Sequence, residues 1–226
     1  MIHLKNKILL GSGSPRRKLL LKELGLNFRF LISETDETPL PGLLRGEIAK
    51  YLSEEKANVL KNKIHENEIL VTADTIVWLD SYMLGKPANS EEAFNMLNSL
   101  SGNKHQVYTG VTIMNIKSKK TFCVESQVVF KKLKESEIRQ YIFEHQPYDK
   151  AGSYGAQECL TSGENPCSEK EIQFLKKYGY EKFFERTITK EKKKHIPMID
   201  HIEGSYYNVM GLPIVELIEE LVTFES

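Results

Sequence analysis

Residues 11 to 17 read GSGSPRR, and their types invite one kind of chemistry. Ser14 and Pro15 suit the N-cap and first position of a helix, yet Arg16, Arg17 and Lys18 follow at once. A helix start already carries partial positive charge and unpaired N–H groups, so cations there are unfavourable unless an anion joins them. With the Ser12 and Ser14 hydroxyls beside arginines able to grip oxygens as forks, the stretch reads as a phosphate-binding loop. It is not a familiar glycine-rich one: the third glycine of a dinucleotide loop is missing, and no GK[ST] follows to make a P-loop. A capped surface helix with solvated arginines is the plain alternative.

Further polar residues favour the phosphate. Asp74 sits in TADTIV, at the end of a run that otherwise reads as a buried strand; an acid there is costly unless it meets a metal, a cation or a substrate. Glu34, Asp36 and Glu37 cluster after another strand and offer oxygens suited to Mg²⁺. Lys56 and Lys86 supply point charges for more phosphate. Each residue alone reads as a surface charge, but together, at loops following strands, they make a recipe for metal-assisted attack on a phosphate chain.

The elements that must position these residues follow from periodicity. NKILLGS is a short strand stopped by glycine, SPRRKLLLKELG a helix ending at Gly25, and NFRFLIS a strand running into SETDET. RGEIAKYLSEEKANVLK is an amphipathic helix, and EILVTADTIVWLD is a strand turned over by DSYMLGKP. SEEAFNMLNSLSG has a serine cap and a glycine stop, HQVYTGVTIMN and KTFCVESQVVFKKL are strands joined by KSKK, and KESEIRQYIFEH is helical. YDKAGSYGAQE is loop-like and LPIVELIEELVTF closes the chain as a helix. Helices alternating with strands, two of them a hairpin, predict an α/β fold with a mixed sheet and flanking helices. Residues 159–197 stand apart: dense in charge with sparse aromatics, they read as an inserted helical segment beginning near Ser168. The KEKKK tract within it reads as a solvated face.

Bulk properties exclude several classes. The 226 residues, 40% hydrophobic and 27% charged, suffice for one sizeable core, or two lobes sharing a cleft, without disulfides. Lys plus Arg equals Asp plus Glu at 31 each, so no global basic field draws in nucleic acid, and the basic stretches lack interleaved aromatics. The opening apolar run, Ile8 to Leu10, is too short for a signal core or a membrane span, so a cytoplasmic protein without membrane attachment is expected. Three cysteines suggest no disulfide framework, and reduced thiols are the default, Cys123 as a small apolar strand residue. Cys159, Cys167, His195 and His201 could in principle bind zinc, but the cysteines stand further apart than the usual two to four intervening residues.

GSGSPRRKLLLKELG, EEKA at 54–57, ADTIV at 73–77, LGKP at 84–87, YDKAGSYGAQ at 148–157 and IEGSYYNVMGLP at 202–213 resemble, in order, the signature blocks of the Maf family. The resemblance covers nearly the whole chain except 159–197. It implies a mixed, twisted α/β sheet with two lobes around a central cleft, a fold shared with the inosine triphosphate pyrophosphatases, in many members dimeric. It also implies a nucleoside triphosphate pyrophosphatase, releasing a nucleoside monophosphate and pyrophosphate with a divalent metal, Mg²⁺ or Mn²⁺.

Carried over by position, Asp74 matches the family's proton acceptor. Arg16, Thr75 and Gln157 fall on the specificity positions of its dTTP and UTP branch, and a glutamine amide suits the carbonyl and N–H edge of thymine or uracil. Ser12, Arg17, Glu37, Lys56 and Lys86 match other substrate or metal positions, and Asp36–Glu37 matches a DE pair that SETDET allows in a shifted register. On this reading Arg16 and Arg17 belong to a triphosphate, and a helix penalty of a few tenths of a kcal/mol is offset by charge-assisted bonds of roughly 1.5–3 kcal/mol each. Asp36, Glu37 and Asp74 form the expected metal site; Asp74, Lys56 and Lys86 the catalytic set. A nucleotide-binding regulator of cell division with little turnover is the alternative that the family resemblance also allows. The chain departs from the family after Gln157, where the added segment bears on the surroundings of that glutamine.

Overall fold

The structure, a computed structural model of the chain, describes residues 2–161, 164–188 and 196–225. The elements run β1 (Lys7–Gly11), α1 (Pro15–Glu23), β2 (Phe28–Leu31), α2 (Gly46–Leu60), β3 (Glu68–Leu79), β4 (Tyr82–Leu84), α3 (Ser90–Leu100), β5 (Lys104–Met114), β6 (Lys119–Phe130) and α4 (Glu135–His145). After them come α5 (Glu169–Lys177), α6 (Phe183–Ile188), β7 (Ile199–Gly204), the short α7 (Tyr206–Val209) and α8 (Ile214–Phe224). Among the described residues seven strands form one sheet in the order β2-β1-β3-β5-β6-β7, with β4 attached to β3. β1 lies parallel to β2 and to the start of β3; the other pairings are antiparallel. The sheet is therefore mixed, as the alternation of helices with a hairpin predicts. None of the described helices is long and apolar enough to cross a membrane.

Side chains alternate across a strand, and on β3 this alternation divides the molecule. Leu70, Ile76 and Trp78 pack with α2 on one face, while Ile69, Val71, Ala73, Val77 and Leu79 join the main core on the other. α2 meets the sheet through Ile48, Ala49, Leu52, Ser53, Lys56, Ala57 and Leu60, the spacing of a single helical stripe. It comes so close because Gly110 of β5 has no side chain: a Cβ there would lie 2.1 Å from the Ala49 carbonyl oxygen. α3 is capped one residue earlier than its serine suggests. Asn89, whose short amide competes well for N–H groups, accepts from the backbone N–H groups of Glu91 and Glu92.

The charged segment starts as read, with Ser168 capping α5 through a reciprocal bond with Glu171. Its packing is deeper than its composition suggests. Cys159, Leu160, Cys167, Phe174, Leu175, Tyr180 and Phe183 all belong to the main core, and each large side chain so removed from water contributes roughly 1.5–3 kcal/mol. The Tyr180 hydroxyl donates to the Leu24 carbonyl at 2.6 Å, tying the segment to the end of α1. The KEKKK tract and His195 lie outside the described residues. Cys159 and Cys167 are buried thiols, the latter pushed by burial up to about 12. His201 is exposed and bonded to Asp200. Among the described residues no group of three or more His, Cys, Asp or Glu is placed to hold a metal, so a zinc site is not assembled there.

Candidate active site

The site opens where one edge of β3 loses its neighbours. β5 pairs β3 continuously from Leu70 to Trp78. On the opposite edge β1 reaches only Val71 and β4 begins at Val77. Between them, beyond Gly11, the chain leaves the sheet through Ser12–Ser14 into α1, and a cleft of about 370 Å³ forms, within the range of ligand pockets. Its lining draws on Ser12, Ser14, Arg16 and Arg17, on Glu37, Lys56 and Lys86, on Asp74 and Thr75, and on Asp149, Lys150, Tyr154 and Gly211.

Alternation places Asp74 and Thr75 on opposite sides of this gap. Asp74 shares the α2 side with Ile76 and Trp78, and Lys56 reaches it from α2, two turns beyond Ala49 on the same stripe. Lys56 is 8% exposed; its ammonium donates to Asp74 Oδ1 and, at 2.8 Å, to Glu37 Oε1. Lys86 donates to Glu37 Oε2 at 2.5 Å. Burial pushes the Glu37 carboxyl up, but the bonds and charges of the two lysines outweigh it and bring it down to about 2. The result is a chain of alternating charge, Asp74, Lys56, Glu37, Lys86, along one wall.

Thr75 takes the other wall with Arg17. The Arg17 guanidinium donates from Nε to the Gly211 carbonyl at 2.7 Å, from Nη1 to Ser12 Oγ at 3.2 Å and from Nη2 to Thr75 Oγ1 at 3.0 Å. Its backbone N–H caps onto Ser14 Oγ at 3.5 Å. Gly211 presents its carbonyl from a backbone at φ +101°, open to glycine and strained for other residues. Burial lowers the Arg17 pKa to about 10 while Asp74 and Glu37 pull it up and Arg16 pushes it down, so the group stays a cation at neutral pH. Arg16 also lines the cleft and, among the described residues, has no hydrogen-bonded or ion-paired partner. The two arginines thus differ: Arg17 is a fixed charge already bonded to protein, and Arg16 lines the cleft without such bonds, its charge felt by Asp149 and Arg17.

Two expected residues stand apart from this constellation. Asp36 is exposed and folds onto Thr38, whose N–H and hydroxyl donate to its Oδ1 at 2.9 and 2.6 Å, so its neighbour Glu37 alone enters the cleft. Gln157 is 3% exposed within a 3-10 turn; the lining ends at Ala156, just before it. Conversely, Asp149 and Lys150 line the cleft without having been singled out. Lys150 is 8% exposed, bonded to Asp149 at 3.0 Å and 3.5 Å from the buried Glu158. The charged DK pair inside the glycine-bearing YDKAGSYG was the signal that could have found them.

Mg²⁺ is commonly held by one or two carboxylates plus substrate phosphates and water, and of the three expected carboxylates two converge, on the Lys56 ammonium. Asp74 and Glu37 meet that description, and Asp36 does not.

Several curated proteins are similar to this chain over nearly its whole length. A dTTP/UTP pyrophosphatase of Bacteroides thetaiotaomicron is 40% identical over 218 residues, covering 96% of this chain and 95% of its own. One of Parabacteroides distasonis is 40% identical over 221 residues, 97% of each chain, and one of Bacillus mycoides 38% identical over 220 residues, 97% of this chain and 96% of its own. The Staphylococcus aureus Ham1 protein is a more distant likeness, 14% identical over 55% of this chain and 72% of that one with a TM-score of 0.36. The family model described as Maf-like protein matches residues 7–163, which spans β1 through the turn beyond Gln157 and takes in most of the cleft. The chain belongs to the Maf family.

Proposed function

We propose that this chain is a nucleoside triphosphate pyrophosphatase that hydrolyses dTTP and UTP to the monophosphate and pyrophosphate. The observation that carries the reading is the ammonium of Lys56 held between Asp74 and Glu37 on the wall of a cleft that Arg16, Arg17, Lys86 and Lys150 also line. Such an array matches a polyphosphate with a nucleophile-activating acid at its inner end, and the relatives named above are dTTP/UTP pyrophosphatases.

In this mechanism the triphosphate lies in the cleft among these cations. Arg16 grips its oxygens, while Arg17, held by Ser12, Thr75 and Gly211, supplies a charge at fixed position. Asp74 accepts a proton from the water that attacks the α-phosphorus. The bond from that phosphorus to the bridging oxygen breaks, and pyrophosphate leaves with its charge met by Lys56 and Lys86. Asp74 and Glu37 would hold a divalent cation, Mg²⁺ or Mn²⁺, which when bound lowers the pKa of water and neutralises phosphate charge. Gln157, one residue behind the lining, contributes to base selection through the position of Ala156.

The test is a panel of canonical and modified triphosphates with Mg²⁺ or Mn²⁺, scored for pyrophosphate release. The expected outcome is highest turnover on dTTP and UTP; a flat profile with retained nucleotide binding overturns the enzymatic reading in favour of a nucleotide-binding regulator.

A further inference from the structure

We propose that Glu171, in the charged segment outside the matched family region, is a positioning residue that fixes Arg17 in the cleft through α7. This rests on the reading above, in which Arg17 supplies a fixed charge to a bound triphosphate.

Glu171 is 1% exposed. Its Oε1 accepts from the Ser205 hydroxyl at 2.6 Å and the Tyr207 N–H at 3.1 Å, and its Oε2 from the Tyr206 N–H at 3.2 Å and the Ser168 N–H and hydroxyl at 2.8 and 3.0 Å. Ser205 is the N-cap of α7, and Tyr206 and Tyr207 are its first two residues. A carboxylate from another element therefore receives the unpaired N–H groups of that helix start, which a four-residue helix cannot satisfy internally.

From the far end of α7 two routes lead to Arg17. The Gly211 carbonyl accepts directly from Arg17 Nε. The Asn208 carbonyl accepts from Thr109 Oγ1, which is hydrogen-bonded to Thr75 Oγ1 at 3.0 Å, and Thr75 in turn accepts from Arg17 Nη2. Both routes pass through the short helix that Glu171 holds. A glutamine at 171 cannot replace the acid, because either orientation of its amide turns an NH₂ toward backbone N–H donors.

The experiment compares Glu171→Gln with Tyr180→Phe, which removes the hydroxyl bonds to the Leu24 carbonyl and the Ile2 N–H and none of the hydrogen bonds of α7 or Arg17. Steady-state kinetics with dTTP and UTP are measured alongside the ¹⁵N–¹H signal of Arg17 Nε, which needs no substrate. Expected for Glu171→Gln is a KM raised about tenfold with kcat within about twofold, the pattern of lost binding rather than lost chemistry. The Arg17 Nε–H signal should lose its hydrogen-bonded shift, and in an Arg17→Lys background the KM increment should shrink below about twofold. Tyr180→Phe should lower the melting temperature and leave KM and the Arg17 signal unchanged. If Glu171→Gln does not fold, Ser205→Ala, which removes one donor to Glu171 together with the acceptor that caps the Asn208 N–H, takes its place with a shift in the same direction. An unmoved Arg17 signal in a folded variant, an undiminished KM increment in the Arg17→Lys background, or the same changes from Tyr180→Phe overturns the proposal. Absence of triphosphate hydrolysis in the unmodified protein would instead defeat the functional reading, and the Arg17 signal would still decide the role of Glu171.

Discussion

Asp74 and Glu171 are both carboxylates withdrawn from water, 8% and 1% exposed, and they are held in opposite ways. Asp74 faces the cleft and is bonded to the Lys56 ammonium, which also serves Glu37. Glu171 is enclosed by Ser168, Ser205, Tyr206 and Tyr207, all neutral donors on short, ordered backbone. An acid whose partner is one charge on a flexible stem can exchange that partner for a substrate or take a proton. An acid whose lone pairs are filled by backbone N–H groups has no capacity left and acts as a rivet. Depth of burial does not separate chemistry from scaffolding here; the kind of partner does.

The contrast can be broken most decisively at Asp74 itself. Asp74→Asn should lower kcat roughly 10²–10⁴-fold on dTTP with little change in KM, measured by pyrophosphate release; a loss confined to KM would place Asp74 with Glu171 as scaffolding. Next in size is Lys56→Met, which leaves Asp74 without its cation. Activity should fall roughly 10²-fold and stability should fall by up to roughly 3–5 kcal/mol in urea unfolding, the open cleft reducing the cost. Adding Asp74→Asn to that variant should return most of the stability and none of the activity. Gly110→Ala should cost roughly 1–3 kcal/mol, because its Cβ would lie 2.1 Å from the Ala49 oxygen, and it should also slow turnover as α2 carries Lys56 away from Asp74.

The smallest effect concerns a third acid. Glu68 joins Arg29 through paired bonds of 2.6 and 2.7 Å, and the Arg29 bonds, against burial, bring its carboxyl down to about 2 from 4.5. A lowered folded pKa stabilises above the unfolded value and loses that contribution as pH falls. Part of the acid limb between about pH 4.5 and 2 should therefore disappear in Glu68→Gln, followed by thermal melts. Because its partner is a cation, raising the salt should shrink this effect, whereas the Glu171 contacts should be indifferent to salt.

Much of this was legible from the chain. Runs such as EILVTADTIVWLD announce a buried strand with an acid in it, and the Ser14–Pro15 start of α1 appears as read. Lys56 carried a signal stronger than its charge: it lies on the stripe of Ala49, Leu52 and Ser53, where a lysine has no reason to be unless something anionic waits for it. What the chain concealed is set by distant partners. Whether Asp36 or Glu37 enters the cleft depends on a local turn with Thr38, and SETDET permits either. Gln157 retreats behind Ala156 because the turn at 156–158 is itself buried. The depth of the charged segment was hidden because its core positions, Phe174, Leu175 and Phe183, are sparse among lysines and glutamates, and Glu171 reads as one more surface acid until Tyr206 and Tyr207 arrive from the other end of the chain.

The alternation along β3 has a last consequence. Asp74 and Thr75 are consecutive, so displacing that strand by a single position would exchange acid for hydroxyl and turn the proton acceptor toward Arg17. What forbids the slip is the match of Asp74 opposite Gly110, the place on β5 where α2 can lie flush. Catalytic competence and correct strand alignment are thus one event: a misaligned β3–β5 pair could not hold α2 down, and a molecule that seats the helix has its acid in place.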